Sequence, residues 1–175
     1  MKIFHENDIK KKNKLHHNYD NMLSNLELFN KVMNEANIFY WVGEGTALGF
    51  IRENKIIEYD TDVDVGMYYE NKEKFLVFVL PKLLYLGFRI MRIYPFSIVK
   101  NGEYIDIDFI GLDKPAMTYS WPDVANPWIN KLEPFQKVNV NNIEYNIPSI
   151  QYIQYLYGDD WNIPKIGFKP NHLQR

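Results

Sequence analysis

The chain has 175 residues and a formal net charge of −2, and 46% of its residues are hydrophobic. This size and composition predict a single globular domain with a substantial core, and they argue against disorder. Because positive and negative charges nearly balance, we expect no strong nucleic-acid binding. The chain contains no cysteine, which excludes disulfides, thiolate metal sites and cysteine nucleophiles.

The two ends of the sequence are predicted to lie outside the folded domain. Residues 1–17 are polar and basic, so we expect a poorly ordered segment there and no signal peptide. Residues 166–175 are expected to form a C-terminal tail, which leaves residues 18–165 as the domain. The longest apolar run, 75–88, is interrupted by Pro81 and is shorter than the ~20 residues of a transmembrane segment. We therefore expect a cytoplasmic protein.

The first part of the domain is predicted to alternate helices and strands. Apolar residues at helical spacing predict a helix over 20–36, and a β-branched and aromatic run predicts a strand over 38–42. A glycine-containing turn over 43–46 should lead into a short helix over 47–52. A strand over 62–67 follows. Such alternation is typical of a sheet with helices packed on it.

The second part is predicted to contain mostly strands and turns. A helix over 72–86 can accommodate Pro81 only with a kink or near an end. Three strands should follow over 88–94, 96–100 and 104–110, with Asn101-Gly102 as a hairpin turn between the last two. Another hairpin is expected over 138–140 and 143–145, around Asn141-Asn142. A last helix should begin after Ser149 and end at Gly158. The sequence therefore predicts an α+β domain, with an ordered loop over 111–130.

Two of the predicted strands carry carboxylates at alternate positions. Asp62 and Asp64 lie two residues apart in one strand, and Asp106 and Asp108 do so in another. Because side chains alternate between the faces of a strand, each pair shares a face at a separation of about 6.5–7 Å. Carboxylates gathered on one face repel one another unless a cation neutralises them, and oxygen ligands suit hard ions such as Mg²⁺ or Mn²⁺. The pattern predicts a divalent-metal site.

The glycine-containing turn before the first carboxylate pair indicates phosphate binding. Gly43 and Gly45 allow the backbone to approach a ligand, and the helix that follows presents free N–H groups at its positive end. Thr46 is expected either to cap the helix or to contact a phosphate oxygen. Carboxylates that hold metal opposite amides that hold phosphate suit phosphoryl transfer, which depends on positioning and charge neutralisation.

Simpler interpretations exist for each motif alone. Either Asp pair by itself is typical of the solvated face of a half-buried sheet, and glycine turns precede many helices. A calcium-binding EF-hand loop starting at Asp60 is another alternative. It fails because its sixth position is Val65 instead of glycine and its twelfth is Asn71 instead of glutamate. The order and spacing of the motifs together favour the metal-site interpretation.

Three separated segments of the chain resemble the LicD/fukutin family of the nucleotidyltransferase superfamily. They are residues 45–52, residues 57–67 and a closing segment over 155–164, and the resemblance spans about residues 20–165. It implies a nucleotidyltransferase-like mixed β-sheet flanked by helices in a single domain. It also implies Mg²⁺-dependent transfer of a phospho-alcohol, such as phosphocholine or ribitol phosphate, from a CDP-linked donor to a glycan or other hydroxyl acceptor.

The resemblance further implies roles for the carboxylates. The family's first metal-binding pair falls on Asp62 and Asp64, and its third carboxylate falls best on Asp106. These three residues are the predicted catalytic and metal-binding set. Asp108 is an additional carboxylate that we assign to substrate binding, and the choice between Asp106 and Asp108 as the third ligand stays open.

The donor side of the site is predicted from the segment around the glycine turn. The family places an arginine where this chain has Arg52, and a guanidinium matches the geometry of phosphate. We therefore expect Arg52 to contact the phosphates of the nucleotide-linked donor together with Gly43, Gly45 and Thr46.

The chain departs from the family pattern just before its second metal-binding Asp. The family has Pro-Trp-Asp-Asp-Asp, whereas this chain has Glu-Tyr-Asp-Thr-Asp over residues 58–62. Thr61 replaces an Asp on the opposite face of the strand, so the metal pair is retained.

Two other functions fit the same residues. A nucleotidyltransferase would use the same cradle to move a nucleoside monophosphate from an NTP to a small molecule, a protein or an RNA end. The lack of a basic stripe argues against RNA as the acceptor. A non-enzymatic binding module would retain the acidic cluster as a structural remnant.

Overall fold

The computed structural model describes residues 17–111 and 129–165. These residues form one mixed α+β domain in which helices flank a five-stranded sheet. Most of the predicted basic segment over 1–17, the tail over 166–175 and most of the loop over 111–130 lie outside the described residues. Within the described ranges, no helix has the length and apolar character needed to cross a membrane.

Helices and strands alternate in the first part of the chain, and five consecutive strands precede the last helix. They are α1 (Tyr19–Glu35), β1 (Trp41–Val42), α2 (Glu44–Glu53), β2 (Val63–Tyr68), α3 (Lys72–Lys74), α4 (Leu80–Tyr85), β3 (Arg89–Ile93), β4 (Phe96–Lys100), β5 (Glu103–Ile110), β6 (Gln136–Val140), β7 (Ile143–Ile147) and α5 (Ile150–Tyr157). The main sheet has the order β1-β2-β5-β4-β3, and β6 and β7 form a separate hairpin. β2 and β5 run parallel, while the other neighbouring strands are antiparallel.

The central parallel pair has one apolar face and one acidic face, as its alternating sequence predicts. Val63 of β2 and Ile105 of β5 are paired in register and are fully buried. The apolar face is covered by helices, because the ring of Phe75 contacts both Phe29 of α1 and Phe109 of β5. The carboxylates therefore lie on the face of the sheet that is opposite this packed layer.

The irregularity that the sequence predicts at Pro81 takes the form of a π-helical stretch. Residues Phe75–Val79 form this stretch, and Pro81 follows in the first turn of α4. Proline has no N–H to donate, and its ring clashes with the carbonyl four residues earlier in a regular helix. The wider π-helical turn accommodates both effects, so the helical segment continues past the proline.

The predicted turns and caps are confirmed at three places. Asn101 and Gly102 join β4 to β5, and Asn141 and Asn142 join β6 to β7, all with φ between 51° and 87°. Two-residue hairpin loops of this kind need positive φ at both positions, which Asn and Gly tolerate best. Ser149 caps α5, because its side chain accepts a hydrogen bond at 3.1 Å from the backbone N–H three residues later.

Two predicted boundaries around the glycine turn were wrong. Helix α2 begins at Glu44 and not at residue 47, because Gly43 is extended and its carbonyl accepts the first helical hydrogen bond from Ala47 at 2.8 Å. Strand β1 is shorter than the predicted 38–42. The carbonyl of Tyr40 accepts a hydrogen bond from the Asn146 side chain at 2.9 Å and so lies outside the ladder.

Gly49 of α2 provides a test of how tightly this helix lies on the segment that leads to β2. A Cβ at Gly49 would lie 2.5 Å from the carbonyl oxygen of Lys55 and 2.9 Å from Cγ1 of Ile57. Alanine normally favours a helix over glycine by about 1 kcal/mol. We nevertheless expect Gly49→Ala to lower the free energy of unfolding by about 1–3 kcal/mol, the usual cost of overpacking.

The measurement is the midpoint of urea unfolding at an unchanged m-value. Gly45→Ala in the same helix is the matched control. Its Cβ would lie 2.5 Å from Oδ2 of Asp60, a side-chain end that can rotate away, so the loss should be smaller. If Gly49→Ala raised the urea midpoint, α2 would not be closely packed against the backbone of residues 55–57.

Candidate metal centre

The two acidic segments meet because β2 and β5 are parallel neighbours. In the register of this pair, Asp64 lies beside Asp106, and Asp62 immediately precedes β2. One carboxylate oxygen from each of these three residues lies within 4.8 Å of the other two. We call Asp62, Asp64 and Asp106 the aspartate triad. The structure therefore brings together the three residues that the sequence proposes as metal ligands.

The aspartate triad has the donor atoms and the spacing to hold a divalent metal ion. Its members are half-buried and supply only oxygen ligands, which suit hard cations. Three carboxylates around one ion also leave coordination positions for phosphate oxygens or water. The geometry fits the ions that the sequence predicts, Mg²⁺ or Mn²⁺, without selecting between them.

The pKa values of Asp62 and Asp64 reflect the crowding of carboxylates. Burial, followed by the charge of Asp106, raises the pKa of Asp62 to about 6. Burial, followed by the charges of Asp62 and Asp60, raises the pKa of Asp64 well above its ordinary range. Both causes disfavour the charged form, and a cation among the carboxylates would favour it again.

Asp106 forms an ion pair with Arg92. Nη2 of Arg92 donates hydrogen bonds to both carboxylate oxygens of Asp106, at 2.8 and 2.7 Å. The hydroxyl of Ser97 donates to Oδ1 of Asp106 at 2.6 Å. Sequence reasoning missed both partners, because neither Arg92 nor Ser97 belongs to a motif and their approach depends on strand pairing.

The glycine-containing segment is attached to the triad through the backbone of Asp64. The N–H of Gly43 donates to the carbonyl of Asp64 at 2.9 Å, and Oγ1 of Thr46 accepts from the N–H of Asp64 at 3.0 Å. Thr46 is fully buried. These two bonds hold the start of α2 beside β2. Contact of Gly43 and Thr46 with a phosphate stays a prediction.

Asp60 fills the side of α2 that Gly45 leaves open. Gly45 has no Cβ, and this leaves space for the Asp60 carboxylate. A Cβ at position 45 would lie only 2.5 Å from Oδ2 of Asp60. Oδ2 is buried and has no hydrogen-bond partner among residues 17–111 and 129–165. Burial, followed by the charge of Asp62, raises the pKa of Asp60 to about 7. The close approach expected of Gly45 is thus made to a protein carboxylate, and its contact with a donor stays a prediction.

The other two predicted substrate residues lie beside the triad's elements. Arg52 is in the last turn of α2 with its side chain 9% exposed, and its Nη2 donates to Glu53 at 2.9 Å. Asp108 lies two residues beyond Asp106 on β5, opposite Gly66 of β2. Asp108 is not among the three residues whose oxygens converge, which favours Asp106 as the third ligand. The substrate contacts assigned to Arg52 and Asp108 stay predictions.

The closing helix also reaches this region. The hydroxyl of Tyr152 in α5 donates a hydrogen bond to Oε1 of Glu44 at 2.9 Å. Glu44 is the first residue of α2 and has a positive φ of 42°. The sequence alone assigned no role to this pair. The apolar spacing of α5 does indicate that Tyr152 lies on the buried face of that helix. The contact joins the closing helix to the start of α2.

Comparison with known sequences identifies relatives of this chain. Residues 37–149, more than half of the chain, match the profile described as LicD/FKTN/FKRP, nucleotidyltransferase domain. An uncharacterized protein of Rickettsia typhi is 31% identical over 119 residues, which are 65% of this chain and 37% of that protein. An uncharacterized protein of Rickettsia prowazekii is 28% identical over 151 residues, or 82% and 56% of the two chains.

A human relative carries a named activity. Ribitol-5-phosphate transferase FKTN of Homo sapiens is 23% identical over 157 residues, which are 79% of this chain and 32% of that protein. The chain therefore spans between about one third and just over half of the length of the curated relatives it matches.

Solved nucleotidyltransferase structures share the fold. The solution structure of ANT(2'')-Ia aligns with a TM-score of 0.54 at 18% identity and covers 86% of this chain and 78% of its own. The crystal structure of ANT(2")-Ia in complex with adenylyl-2"-tobramycin aligns with a TM-score of 0.50 at 20% identity and covers 82% and 78%. At these identities the likeness concerns the fold alone. It confirms the predicted nucleotidyltransferase-like sheet flanked by helices.

The raised pKa values predict how the stability of the metal-free protein depends on pH. Asp60 and Asp62 keep protons up to pH values near 7 and 6 when folded, whereas an unfolded Asp releases its proton near pH 4. The folded state therefore binds more protons between about pH 4 and pH 7, and stability falls as the pH rises through that window. In EDTA, these groups should make the free energy of unfolding about 2–4 kcal/mol lower at pH 8 than at pH 5.

Asp60→Asn isolates the contribution of one group. Asparagine stays neutral at both pH values, so the stability gain of this variant over the wild type should be about 2 kcal/mol larger at pH 8 than at pH 5. Urea unfolding in EDTA measures both. Asp159→Asn, which removes an exposed carboxylate after α5, is the control and should show no such pH-dependent gain. A difference in stability between Asp60→Asn and the wild type that is the same at pH 5 and pH 8 would rule out the raised pKa.

Proposed function

This chain belongs to the LicD/FKTN/FKRP family of nucleotidyltransferase domains, and from that membership we propose that it is a metal-dependent phosphotransferase. It moves a phospho-alcohol, such as phosphocholine or ribitol phosphate, from a CDP-linked donor to a hydroxyl of a glycan or small molecule. The observation that carries the proposal is the convergence of the aspartate triad beside the start of α2. The naming of the human relative as a ribitol-5-phosphate transferase supports the choice of a phospho-alcohol.

The proposed reaction exchanges one bond to phosphorus for another. The oxygen of the acceptor hydroxyl bonds to the phosphorus of the phospho-alcohol, and the bond from that phosphorus to the CMP oxygen breaks. CMP leaves with the electron pair, and the hydroxyl proton passes to a carboxylate of the site. The chemistry that Mg²⁺ or Mn²⁺ would supply here is neutralisation of charge on the phosphates.

The residues of the chain would bind and orient the reactants around that centre. Asp62, Asp64 and Asp106 would hold the cation. The N–H groups in the first turn of α2 would face the donor phosphates, because the bond from Thr46 fixes that helix beside β2. Arg52 has a buried Nε–H without a hydrogen-bond partner in the described part of the chain, so it retains a donor for phosphate.

The remaining details are part of the same proposal. Asp108 lies on the same face as the triad, where it would contact the donor or acceptor. The CDP-linked donor favours a cytoplasmic location, which stays a prediction.

Removal of one triad carboxylate should abolish metal-dependent activity while the protein stays folded. Asp62→Asn, Asp64→Asn and Asp106→Asn should each lower CMP release from CDP-choline or CDP-ribitol by at least about 100-fold, because each removes a charged ligand. The assay supplies Mg²⁺ and candidate hydroxyl acceptors, and calorimetry measures Mn²⁺ binding in the same samples. Asp62→Asn and Asp64→Asn should not lose stability in EDTA, because they remove repulsion.

Asp108→Asn is the matched control on the same strand face. It should retain Mn²⁺ binding and raise the KM for the donor or acceptor. Full activity in the triad variants would refute the proposal, as would metal binding without CMP release from either donor. Pyrophosphate release from an NTP would instead identify nucleotidyl transfer.

A further inference from the structure

A row of polar side chains crosses four strands of the sheet and ends in the aspartate triad. Arg92 of β3 lies opposite Ser97 of β4, and Ser97 lies opposite Asp106 of β5. Asp106 in turn lies beside Asp64 of β2. Residues opposite one another in paired strands project from the same face. The row therefore places the positive charge of Arg92 at one end of the acidic face, and Ser97 lies between Arg92 and Asp106.

Arg92 reaches this row because β3 is irregular at that point. Ile90 pairs with Ile98 and Arg92 pairs with Ser97, so β3 advances two residues while β4 advances one. In a regular strand Ile90 and Arg92 would share a face, and the extra residue places them on opposite faces. Bulges of this kind recur near functional sites, where they redirect a side chain.

The contacts of Arg92 form a closed ring of hydrogen bonds. Its Nη2 donates to both oxygens of Asp106, and its Nε donates to the hydroxyl of Ser97 at 3.0 Å. That hydroxyl donates to Oδ1 of Asp106, so both acceptor positions of Oδ1 are used. Among residues 17–111 and 129–165, Oδ2 accepts from Arg92 alone, so it retains a position for a cation. Ser97 is fully buried, and the side chains of Arg92 and Asp106 are 30% and 12% exposed.

We propose that Arg92 and Ser97 are positioning residues that hold the Asp106 carboxylate in the orientation the cation needs. The inference rests on the proposed function, because it requires that the triad binds a divalent ion. Hydrogen bonds to a ligating side chain typically contribute about 10–100-fold to metal affinity.

The charge of Arg92 acts in the opposite direction. A guanidinium near the centre repels a cation, but this repulsion is compensated by Asp106 itself, 2.7 Å away, and by the solvent that reaches Arg92. Without its partners, the carboxylate of Asp106 could rotate away from Asp62 and Asp64. Orientation should therefore outweigh repulsion.

The test is Mn²⁺ affinity measured by calorimetry without donor or acceptor, at one pH and ionic strength. Arg92→Met should raise the Kd about 10-fold or more, and Ser97→Ala should raise it several-fold without any change of charge. Arg92→Lys should resemble Arg92→Met, because lysine keeps the charge but cannot contact Ser97 and both Asp106 oxygens from one plane. Arg89→Met removes an exposed charge from the same strand and should leave the Kd unchanged.

Thermal unfolding in EDTA accompanies each measurement, so that loss of fold is not taken for loss of affinity. Should Arg92→Met fail to fold, Arg92→Lys and Ser97→Ala still decide the question. Wild-type or tighter Mn²⁺ binding in Arg92→Met would overturn the inference and mark Arg92 as a competing counter-ion. Wild-type affinity in Arg92→Lys would overturn it by showing that charge suffices.

These outcomes are distinct from failure of the proposed function. If the wild-type protein binds no Mn²⁺, the metal-dependent function and the positioning role both fall. If the wild type binds Mn²⁺ and the Arg92 and Ser97 variants bind it equally well, the positioning role alone falls.

Discussion

Mutual repulsion among three carboxylates is the constraint around which this domain is arranged. The triad oxygens lie within 4.8 Å of one another, and the surrounding structure holds them there from two sides. On one side, Gly43 and Thr46 bind the backbone of Asp64 through both of its polar groups. On the other side, Arg92 binds the carboxylate of Asp106. The hydrogen bonds of the site thus oppose a charge distribution that would separate without them.

Features that depend on neighbouring residues could be predicted from the sequence. The alternation around Asp62–Asp64 and Asp106–Asp108 sets their common face, because the side-chain period of a strand is two residues. The Asn-Gly and Asn-Asn turns and the Ser149 cap follow from local backbone preferences and are confirmed. Convergence of the two acidic strands required one further assumption, namely that they pair. The family resemblance supplied it, and the parallel β2–β5 register bears it out.

Features that depend on distant contacts could not be predicted in this way. The partner of Asp106 comes from β3 through a bulge, and strict alternation would have placed Arg92 on the same face as Ile90. The space beside Gly45 is occupied by Asp60, which lies fifteen positions later in the chain and is brought there by the packing of α2 on β2. Glu44, the first residue of α2, has a positive φ and contacts Tyr152 of the distant helix α5, which the local sequence does not indicate. In each case a non-local contact determines the local geometry.

The position of Asp62 just ahead of β2 has a consequence for ion selectivity. Asp64 and Asp106 lie within paired strands, whereas Asp62 precedes the first paired residue, Val63. Small ions such as Mg²⁺ demand short, nearly octahedral bonds, while larger ones such as Ca²⁺ accept longer and more varied coordination. In the proposed metal centre, adjustment to ionic radius would therefore fall mainly on Asp62, the ligand outside the strand ladder, and the 60–62 connection would set how sharply the centre discriminates between the two.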